Sequence, residues 1–310
     1  MDVLIRSPTF IIGLSIISLE LFASIVLSFF ILVVILCDWQ KTRHLRSRDR
    51  IEVALNSSAV LFTVVSTFSL FPDILQTKFL QNWSSKNIVN FFSVYSMCSC
   101  SWLTALLCFF YFIKVVNVQS GFLVWVKMKI ASIVPWQIFA VELVSLGTSF
   151  LSLLLYRPPQ VLHRNESIIE QSHQSLEIRT YRALVADGIF LLICLPFVLS
   201  FITTIITVGF LMLHIQKMKD TMTLGDINLT LYRRVIHKML HFLVLYSVFY
   251  LSMFFYHSEV FAPYSLGYWI DLFLIFLFSP AQAFLHILDN PKLRSSWRRM
   301  LRPQQKFLQQ

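Results

Sequence analysis

Seven stretches, each long and apolar enough to cross a lipid bilayer, recur along this 310-residue chain, and nothing else limits its folding so strongly. A hydrocarbon core about 30 Å thick is crossed by roughly 20 residues of helix. Inside hydrocarbon every backbone N–H and C=O must be paired within the protein, so such stretches fold as helices packed side by side. They lie near Phe10 to Cys37, Ile51 to Phe71, Ile88 to Lys114, Ala131 to Leu155, Ala183 to Leu213, Val235 to Tyr256 and Gly267 to Leu288. The fold class expected is an all-α membrane protein, a seven-transmembrane-helix bundle forming one domain over residues 1–310, with 289–310 a short basic tail. Composition agrees, because 56% of residues are apolar and 14% charged, whereas about a quarter are charged in soluble domains. The first stretch is too long for a signal-peptide core and lacks a small-residue cleavage site, so it reads as a retained helix. No repeat of 20–50 residues is visible.

Lys and Arg in the connections set the orientation, because cytoplasmic loops carry the excess. The segments Asp38 to Arg50, Lys114 to Lys129, Gln216 to Lys238 and Asn290 to Gln310 hold 19 of the 26 basic residues, leaving 7 for the other side. That places the amino terminus outside and the carboxyl terminus in the cytoplasm. Glycosylation sequons, which serve only on the lumenal side, agree. Asn82-Trp83-Ser84 and Asn165-Glu166-Ser167 fall in outer connections, whereas Asn56 lies in a helix and Asn228 in an inner loop.

Several functions are disfavoured. The net charge of +10 is scattered between apolar stretches and forms no basic stripe with interleaved aromatics, which speaks against nucleic acid as a partner. The five cysteines, Cys37, Cys98, Cys100, Cys108 and Cys194, lie in or beside apolar runs and suggest neither a disulfide framework nor a metal knuckle. His237 and His241 share a helix face, but the Glu of a metalloprotease helix and a third ligand are missing. Without a phosphate loop, a nucleophile elbow or a close acidic pair, no enzyme chemistry, metal or cofactor is expected.

Ionisable residues at membrane depth are costly and mark candidate sites. Here they are Glu20, Glu142, Asp187 and Asp271. Glu20, Ser24 and Ser28 recur every four residues on one face, which should look into the bundle. Glu20 is read as a packing hydrogen-bond group, with ligand contact the lesser alternative. Asp187 and Asp271 stand in the outer halves of the fifth and seventh spans, where pairing with a cationic ligand and simple exposure are both open. Pro135, Pro196 and Pro280 interrupt three spans and shape kinks.

Seven spans with basic inner loops suggest a receptor coupled to a G protein, but not of the rhodopsin pattern. The third span ends Phe110-Tyr111-Phe112-Ile113-Lys114 instead of in an Asp-Arg-Tyr triplet; the sixth has no Trp or Pro; Tyr156 to Tyr181 has no Cys. The sequence instead resembles the type 2 taste receptors, the bitter taste receptor family, over nearly the whole chain. The resemblance is carried by Trp102 nine residues before Tyr111, the run FYFIKVVN to Asn117 and FLVWVKMKI from Phe122 to Ile130. Glu20 with Asp38-Trp39, Pro196-Phe197 with Ser200 and His214, FLVLY from Phe242 to Tyr246, and Asn290-Pro291-Lys292-Leu293 add to it. The chain departs from the family at Ser28 (usually Asn), Ala59 (usually Arg), Tyr232 and His237 (usually His and Lys) and Gln282-Ala283 (usually His-Ser), positions that build the family's inter-helix polar contacts.

The resemblance implies a cell-membrane receptor for small bitter-tasting molecules, signalling through a gustducin-like heterotrimeric G protein. It implies a ligand site between the third, fifth, sixth and seventh helices, with Trp102 stacking on the ligand and Leu106 one turn deeper. Asp187 or Asp271 would serve a cationic group, and Tyr246 and Phe249 would pass motion along the sixth helix. Tyr111, Lys114, Lys217, Arg233, Arg234 and Lys238 would face the G protein, although lipid headgroups explain the basic ones equally well. A vomeronasal type 1-like pheromone receptor is the alternative, and a secondary transporter a more distant one, since inverted repeats and paired broken helices are not evident.

Overall fold

The computed structural model describes residues 8–74, 83–115, 121–155, 168–221 and 226–301. Its helices are α1 (Pro8–Thr42), α2 (Ser47–Ile74), α3 (Trp83–Val115), α4 (Gly121–Leu155), α5 (Ile168–Thr221), α6 (Asp226–His257), α7 (Leu266–Asp289) and α8 (Pro291–Leu301). Among the described residues, α1 to α7 each contain a stretch long and apolar enough to cross a membrane. The protein is therefore a multi-pass membrane protein. Neighbouring helices close a ring in the order α1, α2, α3, α5, α6, α7, with α4 packed outside against α3.

Burial separates the interior helices from the peripheral ones. The apolar stretches of α3 and α7 are 67% and 61% buried, those of α4 and α5 only 22% each. Leu19 and Phe22 on α1, Trp136 and Phe139 on α4 and Leu191 on α5 are exposed. A continuous apolar surface of this kind is stable against acyl chains, not water.

Polar residues gather on the inside instead, among them stripes at helical spacing on α1, α2 and α7. α1 contributes Glu20, Ser24 and Ser28; α2 contributes Glu52, Asn56, Thr63 and Ser66; α7 contributes Ser279, Gln282, His286 and Asn290, and all are buried. In lipid, apolar side chains gain little by leaving the acyl chains for a neighbouring helix, so small residues and hydrogen bonds carry the association. At mid-depth the Ser24 hydroxyl meets Thr63 Oγ1 at 2.8 Å and Ser279 Oγ at 2.5 Å, tying α1, α2 and α7 at one point. Gly13 permits a second close approach: a methyl group there would stand 2.4 Å from the Trp269 ring.

The end of α7 turns sharply into α8. Asn290 ends α7, its N–H donating to His286 O at 3.1 Å, and its Oδ1 accepts from Lys292 N–H at 3.2 Å to open α8. Pro291 follows as the first helical residue, a position that needs no N–H partner. Lys292 Nζ donates to Asp38 Oδ2 at 2.5 Å, and Trp297 meets Phe30 edge to face at 5.2 Å, which anchors α8 on α1.

Candidate functional site

The two ends of the bundle differ, and each holds candidate residues. At the end bearing the α6–α7 connection, a cavity of about 520 Å³ opens among Phe255, Tyr256, His257, Glu259, Tyr268 and Asp271. That volume lies within the range of small-molecule sites, roughly 300–1,000 Å³. Asp271 is 4% exposed and accepts a hydrogen bond from Ser252 across to α6, so it forms part of the floor. The connection is held in unusual backbone geometry, with Glu259 and Tyr264 at φ of 50° and 63°. Non-glycine residues rarely adopt such angles unless their surroundings hold them there. Gly267 lets the Phe261 ring lie where a side chain would otherwise stand, 2.4 Å from the position of a Cβ.

Asp187 stands at the same end on α5. Its carboxylate pairs with His257 Nε2 at 2.8 Å, and the His257 ring stacks on Phe190 at 4.7 Å and 5°. Asp187 is 61% exposed, so this clasp between α5 and α6 borders on solvent or headgroups.

Below the vestibule the interior is closely packed. Tyr246 and Phe249 join one cluster with Ile193, Tyr250, Ile275 and Phe278; Phe249 stacks on Phe278 at 4.2 Å, and Tyr246 meets it edge-on at 4.8 Å. The Tyr246 and Thr104 hydroxyls are hydrogen-bonded, linking α6 to α3. A cavity of about 10 Å³ beside Phe249 and another of about 20 Å³ beside Tyr246 could each hold no more than a water. Trp102 and Leu106 line neither of them. Leu106 packs with Ile51, Leu55 and Val134 between α2, α3 and α4. Trp102 lies one turn beyond Cys98, whose thiol is within hydrogen-bonding reach of Ser145, Thr148 and Trp102 itself. The structure thus brings Tyr246 and Phe249 together, places Asp187 and Asp271 near the vestibule, and sets Leu106 on another side of α3.

The membrane-depth carboxylates of α1 and α4 face protein. Glu142 accepts from Tyr95 Oη at 2.6 Å and Ser99 Oγ at 3.0 Å, and Ser99 also meets Ser58 at 2.8 Å, so one chain of bonds crosses α4, α3 and α2. Glu20 is 7% exposed, on the inward face expected of it, and neither of its oxygens has a hydrogen-bond partner among the described residues.

At the α8 end, Tyr111 lies beneath the Arg48 guanidinium, 5.8 Å from ring centre to Cζ, and Lys114 is exposed over the Phe110 ring at 4.7 Å. The side chains of Lys217, Arg233, Arg234 and Lys238, and the sequon residues Asn82 and Asn165, lie outside the described residues. Arg48 leads to a group that sequence reasoning passed over. Glu52 is fully buried; its Oε1 accepts from Arg48 Nε at 2.7 Å and is ion-paired with Nη2 at 2.6 Å. Asn290 Nδ2 donates to its Oε2 at 3.4 Å, and His286 Nδ1 lies 3.6 Å from Oε1. The signal was present: Arg48 and Glu52 are four apart, and Glu52 heads the polar stripe of α2. Standing at the second position of the apolar stretch that begins at Ile51, it was not counted among the ionisable residues at membrane depth.

Comparison with known proteins agrees with this architecture. A family model described as "Taste receptor protein (TAS2R)" matches residues 5–305. The chain is 29% identical over 241 residues to taste receptor type 2 member 14 of Macaca mulatta, covering 73% of this chain and 70% of that protein. It is 26% identical over 281 residues to taste receptor type 2 member 9 of Homo sapiens, covering 88% of each. With member 8 of Gorilla gorilla gorilla it shares 25% over 280 residues, or 85% of this chain and 86% of that one.

Proposed function

The chain belongs to the taste receptor type 2 family of bitter taste receptors, and from that premise we propose that it detects small bitter-tasting molecules at the cell membrane and signals through a gustducin-like G protein. The observation that carries the proposal is the family match over residues 5–305. The distribution of basic residues supports an orientation with the vestibule outside and α8 in the cytoplasm, the amino terminus being extracellular.

In this reading the ligand enters at the vestibule. Its aromatic walls suit a flat or amphipathic molecule, and Asp271 on the floor suits a cationic group. Asp187 stands at the entrance. Trp102, Tyr246 and Phe249 take part as α6 moves relative to α3 and α7, while Leu106 serves as packing between α2, α3 and α4. A ligand acts by binding one arrangement of the helices better than another, so that the population shifts. The Tyr246–Thr104 bond and the Phe249–Phe278 stack couple that shift to the helix core. Tyr111, Lys114, Lys217, Arg233, Arg234 and Lys238 are the proposed G-protein-facing residues, and Asn165 and Asn82 the proposed glycosylation sites.

The test is calcium release in cells expressing the chain with a promiscuous or gustducin-like G protein, across a panel of bitter compounds. Dose-dependent responses absent from untransfected cells are the expected result. Silence across the panel, with surface expression confirmed, would overturn the proposal.

A further inference from the structure

The buried carboxylate of Glu52 calls for an account of its own. A charge withdrawn from water is tolerated only when well paired, and removing one partner of such a pair is strongly destabilising. Glu52 is 0% exposed, and its partners include Arg48 one turn earlier on α2, His286 on α7 and Asn290 at the α7–α8 junction. Two further contacts extend the group. Arg48 covers the Tyr111 ring of α3, and the His286 ring lies 5.1 Å from that of Phe242 on α6. One side chain thus reaches α3, α6, α7 and α8, directly or through one intermediary.

Its place in the bundle is equally informative. Two turns toward mid-membrane, the α2 stripe carries Ala59, and one turn away from His286 the α7 stripe carries Gln282. Neither can ionise, so in this part of the α2–α7 seam the charge is concentrated at the α8 end. The partners are also unequal. Arg48 is 24% exposed and can turn toward water or headgroups, whereas Glu52 and His286 have no exposed side chain. A displacement of α7 that removed His286 and Asn290 would take two buried partners from Glu52 and keep Arg48, at the more exposed edge of the cluster.

We propose that Glu52, Arg48, His286 and Asn290 form an ionic latch that keeps the cytoplasmic end closed, and that its strength sets the ligand-free activity. Movement of α6 reaches it through the Phe242–His286 contact. The latch rests on the receptor reading for its signalling consequence, but not for its mechanical one.

The test uses the full chain in cells, with ligand-free second-messenger output divided by the number of receptors at the surface. Glu52→Gln keeps the shape and removes the charge. Arg48→Met combined with Glu52→Leu removes both charges and leaves neither orphaned, so it carries the test if Glu52→Gln fails to reach the surface. Both are expected to raise the normalised output by roughly fivefold or more, the lower end of ordinary coupling between sites. A surface-expressed double variant with unchanged output would overturn the latch, as would loss of surface expression in both variants without any rise. A second measurement needs no signalling: the alkylation rate of Cys108, which lines the small cavity beside Tyr111 and Phe242, in lipid nanodiscs. Faster alkylation in the variants supports the latch even if the wild-type chain answers no bitter compound, the result that would overturn the receptor reading alone. Unchanged alkylation in both variants overturns the latch even if the wild-type chain responds.

Discussion

At the α6–α7 end, Glu259 and Asp271 border an aromatic-walled cavity of about 520 Å³; at the α8 end, Glu52 is sealed with no exposed surface. Both groups are carboxylates at helix ends, yet their surroundings give them opposite uses. A carboxylate beside open space keeps bonding capacity for an incoming group, whereas one enclosed by a guanidinium, an imidazole and an amide serves cohesion. The same contrast appears in the aromatic residues. Tyr264 is exposed near the vestibule, while Phe242, Tyr246 and Phe249 are buried around the interior contacts. An acidic residue in a span therefore identifies a functional region only together with what encloses it.

Substitutions at the vestibule end test how far its openness extends. The largest effect is expected for Gly13→Ala, because the added methyl meets the buried Trp269 ring at 2.4 Å. Overpacking of this kind costs about 1–3 kcal/mol, and thermal unfolding of the purified protein in detergent or nanodiscs would report it. An unchanged melting temperature would mean that this end yields as readily beside α1 as at the cavity. Next, Asp271→Asn should weaken cationic agonists about tenfold, or about 1.4 kcal/mol, and leave neutral ones unchanged. Equal loss for both classes would place Asp271 with Glu52 among the groups that hold helices together.

Smaller changes sharpen the comparison. Tyr246→Phe removes the hydroxyl bond to Thr104, which still donates to Cys100 O at 2.8 Å, so no buried donor is orphaned. The expected loss is about 0.5–1.5 kcal/mol of stability, together with an altered maximal response if this bond couples α6 to α3. The smallest effect is expected for Asp187→Asn. Its carboxylate is 61% exposed, and exposed pairs contribute about 0–1 kcal/mol. A loss in melting experiments that persists at high salt would show the Asp187–His257 clasp to be tighter than its exposure suggests.

The polar stripes were legible in part. Glu20, Ser24 and Ser28 declare their shared face by spacing, and their burial follows from the cost of turning them toward lipid. The α2 and α7 stripes obey the same rule, yet Glu52 escaped notice at the very start of its apolar stretch, just after the strongly basic connection that ends at Arg50. Nothing local separates a glutamate that borders headgroups at the end of a span from one covered by α7. For Trp102 and Leu106, spacing sets their faces on α3 but not which neighbour each face meets. The vestibule was not legible at all, because it depends on how Tyr264 and Glu259 turn the chain between α6 and α7.

By itself the sequence determined the membrane character, the seven helices and the family. Those properties are sums over many residues: hydrophobic length against a bilayer of fixed thickness, and motifs spread along the chain. Only the tertiary structure decided which carboxylates are sealed and which stand open. Enclosure is supplied by residues distant in sequence, as when His286 and Asn290 close over Glu52, and no periodicity within one helix records it.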